Sequence, residues 1–141
     1  MMRKGLVLSL AIVLMFGLFV FAGNKGEQKT LSGTLSCTGC DLKKAAGAHS
    51  QCKIYGHRHT LKLADGNYVS FMENDHSEML LNAGGGKWHG QEVEVSGTYF
   101  AHANIIDVED FQIKDKSYGW CAGHKDMDQC HTNMKKMHGN K

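Results

Sequence analysis

The stretch Gln91–Phe100, QEVEVSGTYF, alternates apolar or small side chains with polar ones. Val93, Val95 and Tyr99 fall on one face of an extended chain and Glu92 falls on the other, because side chains repeat every two residues along a strand. This period is typical of a β-strand with one buried face and one face in water. We therefore predict a strand over these ten residues and a mainly β protein.

Four other segments share this alternation and are predicted as strands: residues 30–36, 60–64, 68–72 and 104–113. Asp65-Gly66-Asn67 predicts a hairpin turn between the second and third strands. Ser77 is a suitable N-cap for a short helix that ends before the three glycines at 84–86. Five strands with a helix between the third and the fourth is the order of an OB-type Greek-key barrel. We therefore predict a small five-stranded OB-like Greek-key barrel over residues 30–115.

An open antiparallel sheet with a helix on one face is the alternative to a closed barrel. Closure is favoured because it removes the exposed strand edges that a β protein must otherwise protect. A further short helix is predicted between Asp41 and His49, where good helix formers are interrupted by Gly47. This helix would lie between the first two strands of the barrel.

The N-terminus predicts export. Arg3 and Lys4 precede an apolar run of 17 residues from Leu6 to Ala22. Val20 and Ala22 stand at the −3 and −1 positions of a small-residue cleavage site just before Gly23. We predict a signal peptide at residues 1–22, a flexible leader at 23–29 and a secreted or periplasmic mature protein with no stable membrane span. The alternative is an uncleaved membrane anchor, for which an apolar run of this length is at the lower limit.

The charge of the mature chain limits the kinds of partner. The full chain has 16 Lys and Arg residues and 14 Asp and Glu residues, and removal of Arg3 and Lys4 leaves 14 of each. A chain with no net charge does not favour non-specific binding to nucleic acid, because that binding depends on positive charge. We therefore predict no nucleic-acid partner, and the sequence names no protein partner.

Three of the five cysteines, Cys37, Cys40 and Cys52, lie close together in the sequence, and His57 and His59 follow. A Cys-x2-Cys pair at the end of a strand can present two thiolates to one tetrahedral ion. The third cysteine and the imidazole of His57 would complete a Cys3His site, a donor set that suits zinc. If the second strand began early enough, both histidines would lie on the same side of it.

Two other interpretations of these cysteines remain open. Exported cysteines usually pair, so a disulfide among the three would leave one spare thiol and make the chain a stapled structural or interaction module. Alternatively, Cys37 and Cys40 would act as a thiol-disulfide oxidoreductase, since a helix N-terminus lowers the pKa of a thiol. The β-α-β context of thioredoxin-like enzymes is missing here, which does not favour the enzyme.

The segment 116–141 is rich in soft side chains that bind metal ions. Several of them repeat at intervals of three and four residues, which on a helix places them along one stripe. The candidate ligands are His124, Met127, Cys130, His131, Met134 and His138. Thioether and thiolate groups suit Cu(I), and imidazole also accepts copper or zinc. The pattern therefore predicts a copper-binding tail, and its spacing is that of a helix.

An inert tail is the alternative. It would be polar, without regular structure, and stapled by a disulfide between Cys121 and Cys130. The remaining histidines each lie singly in a predicted loop or turn, where histidine is usually an ordinary surface residue. They are given no role, and they are His49, His76, His89 and His102.

The cysteine block resembles that of a group of small exported bacterial proteins of uncharacterised function. These proteins share a Gly-x-x-x-Cys-x-Gly-Cys-x-Leu-Lys-Lys block, a third cysteine, and a Gly-His pair before an alternating strand. The matching residues are Gly33, Cys37, Gly39, Cys40, Leu42, Lys43, Lys44, Cys52, Gly56 and His57. The likeness covers about residues 31–113. It implies a secreted OB-like barrel and no particular activity.

These observations lead to one main hypothesis. The chain is an exported soft-metal-binding protein without catalysis, for which copper is the first candidate and zinc the second. The disulfide-stapled module and the oxidoreductase are its alternatives.

Overall fold

A computed structural model describes residues 25–129. This part of the chain has seven strands: β1 Glu27–Ser36, β2 Thr60–Lys62, β3 Tyr68–Phe71, β4 Glu92–Phe100, β5 Ile105–Ile113, β6 Lys116–Cys121 and β7 Asp126–Asp128. It has three helices: α1 Thr38–Ala46, α2 Cys52–Tyr55 and α3 Glu78–Leu81. Within residues 25–129, no helix has the length and apolar character needed to cross a membrane.

The first five strands close into a barrel, which confirms the predicted fold. β1 pairs antiparallel with both β2 and β4, and β2 pairs antiparallel with β3. β4 continues the sheet to β5. The barrel closes where β3 and β5 run parallel, with Ser70 opposite Ile105 and Phe71 opposite Ile106. Helix α3 lies between β3 and β4, as the sequence predicts.

The core follows from the alternation of the strands. Val93 and Val95 are buried, whereas Glu92 and Glu94, which alternate with them, are exposed. Helix α3 adds Leu80 and Leu81 to the interior, so it packs against the barrel core. The buried apolar residues of the barrel are Leu35, Leu61, Val69, Phe71, Leu80, Leu81, Val93, Val95, Ile106, Val108, Phe111 and Ile113. Their removal from water is the main favourable term for folding.

Gly97 permits a close approach of β4 and β5. A Cβ atom at this position would lie 2.0 Å from the carbonyl oxygen of Asp107. The register of the two strands shifts between Ser96 and Gly97. A bulge of this kind bends the strand and raises its twist, which a small closed barrel requires.

The sheet extends beyond the predicted barrel at both ends. β1 begins at Glu27, so its first residues fall within the segment 23–29 that we predicted as a leader. β6 pairs with β5, and β7 pairs with β6, so residues 116–128 continue the sheet instead of forming a separate tail. Tyr118 of β6 stacks on Phe111 with ring centroids 4.8 Å apart.

Candidate metal centre

Four predicted ligands meet at one end of the first barrel strand. Cys37 follows β1 and is the N-cap of α1, and Cys40 lies in the first turn of that helix. Cys52 begins α2, and His57 lies in the connection between α2 and β2. Gly56 has a φ of 86°, a left-handed conformation that suits glycine and turns the chain just before His57.

The sulfur and nitrogen atoms of these residues lie close enough to share one ion. One ligand atom from each of the four lies within 4.8 Å of all the others. The Sγ atoms of Cys37 and Cys52 are 3.5 Å apart, and Cys40 Sγ lies 3.3 Å from His57 Nδ1. A tetrahedral zinc site with Zn–S bonds of about 2.3 Å has sulfur atoms separated by about 3.8 Å. The spacing therefore fits ligands around an ion.

Cys37 and Cys52 lie close together but are not joined by a disulfide in this structure. The two sulfurs of a disulfide lie about 2.05 Å apart, well below the 3.5 Å between Cys37 and Cys52. Cys37, Cys40 and Cys52 are all free thiols. They differ in exposure, since Cys37 is only 1% exposed and the other two are half-buried.

Asp41 anchors α1 to the barrel beside the two cysteines. Its Oδ2 accepts hydrogen bonds from Ser36 Oγ at 2.7 Å, Tyr68 Oη at 2.9 Å and Lys62 Nζ at 3.2 Å. The hydrogen bond from Ser36, together with those from Tyr68 and Lys62, holds the pKa of the Asp41 carboxyl below its usual value. One carboxylate thus joins the helix to β1, β2 and β3.

Gly39 and Ser50 set the position of Cys52. A Cβ atom on Gly39 would lie 2.5 Å from Ser50 Oγ and 3.0 Å from Cys52 Sγ, so glycine lets α1 approach this segment closely. Ser50 Oγ lies 2.8 Å from Cys52 Sγ. Its hydrogen bond is the main cause of the lowered pKa of the Cys52 thiol, because it stabilises the thiolate.

The crowding of three sulfurs disfavours a second thiolate at Cys40 beside Cys52 in the absence of a cation. The hydrogen bond with Cys37 is the main factor that raises the pKa of Cys40 to about 11, and burial and Cys52 add to it. Like charges at this spacing oppose one another's ionisation. A bound cation reverses this effect, since a coordinating thiol is deprotonated outright. The donor set and the electrostatics therefore both suit a thiophilic metal ion.

A cavity of about 510 Å³ opens beside the cluster. Cys40 and His57 lie on its wall, together with His59, Asn82, Gly85, Gly86 and His89. His59 is only 4% exposed, and burial lowers its pKa. Its Nε2 lies 3.1 Å from His89 Nδ1.

The structure brings together the four ligands that were predicted from the cysteine block. Cys37, Cys40, Cys52 and His57 come together as predicted. His59 does not share a strand face with His57, because β2 begins only at Thr60 and the ring of His59 turns inward.

The two described members of the tail pattern do not lie on a helix. Met127 is in β7, only 2% exposed, and packs in the hydrophobic core. His124 is exposed in the turn before β7, with Nδ1 2.8 Å from Asp128 Oδ2. Residues 124–128 therefore form a turn and a strand. The other predicted tail ligands lie outside the described residues, and they are Cys130, His131, Met134 and His138.

Three features near the cluster were not predicted from the sequence. They are the contact of Ser50 with Cys52, the burial of His59, and the contact of His89 with His59. The signal for Ser50 was its position two residues before a candidate ligand, where a hydroxyl can reach a sulfur. His89 lies 30 residues after His59 along the chain, so their contact depends on barrel closure and leaves no local pattern.

Comparison with known proteins gives no relative from which a function can be carried over. No family model matches the chain, and no curated protein or solved structure matches it. Function is therefore inferred from the chemistry of the cluster itself.

Proposed function

We propose that this is an exported protein that binds one thiophilic metal ion through Cys37, Cys40, Cys52 and His57. Copper(I) is the first candidate and zinc(II) the second. The observation that carries the proposal is the meeting of these four ligand atoms within 4.8 Å of one another. Export rests on the predicted signal peptide at residues 1–22.

The cysteine count supports a metal at the cluster. Exported chains usually pair their cysteines, and five is an odd number. A metal site that uses the three clustered cysteines leaves Cys121 and Cys130, which can pair with each other. This division accounts for all five without a spare thiol.

The donor set distinguishes the two candidate ions only in part. Three cysteines and a histidine form a common zinc site when four-coordinate and tetrahedral. Thiolates also select Cu(I), which is the softer ion. The methionines and histidines beyond Gln129 add further soft donors in the sequence, so copper remains our first choice.

The position of the cluster supports an ion that exchanges. Structural metal sites are closed on all sides. Here Cys40 and His57 lie on the wall of the 510 Å³ cavity, so one side of the ion would be reached from solvent. This arrangement favours a protein that captures or passes on an ion over one that keeps it only for stability.

A competition titration tests the proposal. The reduced mature protein is titrated against chromophoric chelators of Cu(I) and of Zn(II), in parallel with Cys37→Ser and Cys52→Ser variants. We expect the protein to withdraw one equivalent of at least one ion, and each variant to lose that competition. A wild-type protein that competes for neither ion would overturn the proposal.

A disulfide-stapled module is the second candidate, and the Cys37–Cys52 contact favours it. Their sulfurs lie 3.5 Å apart, so a small shift of α2 would bring them to bonding distance. Mass spectrometry of protein from the cell envelope, alkylated before and after reduction, separates the two proposals. A disulfide within residues 37–52 in the isolated protein supports the module, and three alkylated thiols in this segment support the metal site.

The oxidoreductase is not favoured by the chemistry of its two cysteines. A nucleophilic thiol needs a lowered pKa and access to its substrate. Cys37 is 1% exposed, and the pKa of Cys40 is raised to about 11. Both features oppose attack on a substrate disulfide.

A further inference from the structure

His59 is a buried histidine that the four-ligand cluster does not use. It is 4% exposed and lies beside barrel residues, where an imidazole is costly to bury unless it is hydrogen-bonded. Its backbone N–H donates to Leu81 O at 2.9 Å, and its ring Nδ1 lies 3.2 Å from the same oxygen. The ring is thus held in one orientation from the side of α3.

These contacts fix the tautomers of two histidines. Because a carbonyl oxygen only accepts, Nδ1 of His59 carries the proton that binds Leu81 O. Nε2 of the neutral ring is then an acceptor, and His89 Nδ1, 3.1 Å away, donates to it. Nε2 of His89 is left with a lone pair. Among residues 25–129, no group forms a hydrogen bond with this nitrogen.

The chain from His89 through His59 to a carbonyl oxygen has the pattern found behind metal-binding histidines. Such a ligand donates its other ring N–H to a fixed acceptor, which sets the tautomer and the ring orientation. His89 is exposed and lines the same cavity as Cys40 and His57. Its free nitrogen is therefore open to an ion that enters this cavity, whereas Cys40 on the same wall is half-buried.

We propose that the cavity is the entry site of the metal ion, that His89 Nε2 is the first ligand to bind it, and that His59 is the residue that positions His89. The inference rests on the proposed function, since the ion passes on to the Cys3His cluster. Cys40 and His57 share the cavity wall and are the next donors along this route. The proposed ligand class is a thiophilic ion that also accepts imidazole, as Cu(I) and Zn(II) do.

Loss of an entry ligand should slow the loading and the removal of the ion, but it should leave the equilibrium affinity of the Cys3His cluster unchanged. The experiment is stopped-flow transfer of Cu(I) from its complex with a chromophoric chelator to the reduced mature protein, followed by the chelator absorbance. A second series uses Zn(II) in the same way. The variant is His89→Gln, and the matched control is His102→Gln, which replaces another exposed histidine that does not line the cavity.

We expect His89→Gln to load about tenfold more slowly, by analogy with the loss of a supporting group at a metal site. Its equilibrium affinity and stoichiometry should equal those of the wild type. Removal of the ion by excess chelator should slow by the same factor, because an entry ligand serves both directions. His102→Gln should behave as the wild type in each measurement.

Two results would overturn the entry role while the Cys3His proposal stands. One is a wild-type loading rate in His89→Gln. The other is a loss of equilibrium affinity in that variant, which would make His89 a permanent ligand. A wild-type protein that takes up neither ion would remove both proposals. His59→Leu should reproduce the slow loading and His59→Gln should restore part of it, and if either fails to fold, His89→Gln decides alone.

Discussion

At the scale of single residues, replacement of His57 should affect the binding of zinc and of Cu(I) to different extents. It is the only nitrogen donor of the cluster, and its Nδ1 lies 3.3 Å from Cys40 Sγ. Zinc prefers four ligands, whereas the three thiolates alone already suit Cu(I). We expect His57→Gln to weaken zinc binding more than about tenfold and Cu(I) binding less than that. Chelator competition with both ions measures the difference, with His102→Gln as control.

If His57→Gln binds zinc as tightly as the wild type, the histidine is not a ligand. Equal losses for both ions would instead indicate that the substitution disturbs the thiolates, and a thermal melt of the variant without metal checks this.

The hydrogen-bonded carboxylate of Asp41 should make the free energy of unfolding depend on pH. Its pKa is lowered in the folded protein by the hydrogen bonds from Ser36, Tyr68 and Lys62, so folding favours the charged carboxylate. This stabilisation is fully present above the carboxyl's unfolded pKa of about 3.9 and is lost as the pH falls through the folded pKa. We expect Asp41→Asn to cost about 1–2 kcal/mol near neutral pH, because it removes the charge that three donors share.

Urea denaturation at neutral and acid pH measures this effect. The difference in unfolding free energy between wild type and Asp41→Asn should shrink as the pH falls below about 4. Asp75→Asn, at an exposed position, serves as the control. A difference that stays constant over this range would show that Asp41 acts through something other than its charge.

At the scale of elements, the approach of α1 to the segment before α2 forms the site. The two meet at Gly39, where a Cβ would lie 2.5 Å from Ser50 Oγ and 3.0 Å from Cys52 Sγ. Gly39→Ala should therefore displace Cys52 and weaken metal binding about tenfold, a loss similar to that of an outer-shell partner. The barrel should keep its stability, since no barrel side chain is touched.

Chelator competition and a thermal melt without metal, run on the same variant, measure these two effects. Gly123→Ala is the matched control, because a Cβ there meets nothing within 4 Å. Unchanged metal affinity in Gly39→Ala would mean that the helix and the following segment can separate without loss of the site.

Strand β7 gives Met127 a structural role. The side chain is 2% exposed within the core, so volume and apolar character matter there and the thioether does not. Met127→Ala should lower the unfolding free energy by about 2–5 kcal/mol, whereas Met127→Leu should cost less than about 1.5 kcal/mol. Neither should change metal stoichiometry. A stable Met127→Leu variant that loses one equivalent of copper would restore the methionine as a ligand.

The elements also show how far the sequence predicts this molecule. The strands were predictable because each buries one face, as with Val93 and Val95 against Glu92 and Glu94. For α1 the predicted bounds were wrong by about three residues at each end. The good helix formers predicted a helix between Asp41 and His49, whereas the helix begins just after Cys37 and ends before Gly47. Its start depends on the fold of the cysteine block, which propensity does not describe.

The site was predictable from ligand spacing, and its surroundings were not. Cys37 and Cys40 lie three residues apart, and Cys52 and His57 follow in the same connection between β1 and β2. His89 comes from the connection that follows α3, and it reaches His59 only in the closed barrel. The predicted helical stripe does not hold at Met127, which lies in strand β7. A spacing of three and four residues places side chains on a common face only when the segment is a helix.

At the scale of the whole molecule, the cluster joins the helical connection to the barrel. α1 and α2 both lie between β1 and β2, and among the described residues neither helix buries a residue of its own in the core. A metal ion that binds only the folded state should therefore stabilise it. The expected gain is about 3 kcal/mol when the free ion is at about 100 times Kd.

Differential scanning calorimetry with increasing free zinc, and with Cu(I) under reducing conditions, measures this gain. The melting temperature should rise with ion concentration in the wild type and rise less in Cys52→Ser, which keeps three of the four ligands and binds more weakly. A rise of equal size in both proteins would place the ion elsewhere in the chain.

X-ray absorption at the metal edge tests the central claim most directly. The measurement uses the reduced mature protein loaded with one equivalent of zinc, beside Cys52→Ser. We predict three sulfur scatterers at about 2.3 Å and one nitrogen at about 2.0 Å for the wild type, with one sulfur fewer in the variant. A first shell of nitrogen and oxygen alone, or a sulfur count that Cys52→Ser leaves unchanged, would contradict a metal centre built from Cys37, Cys40, Cys52 and His57.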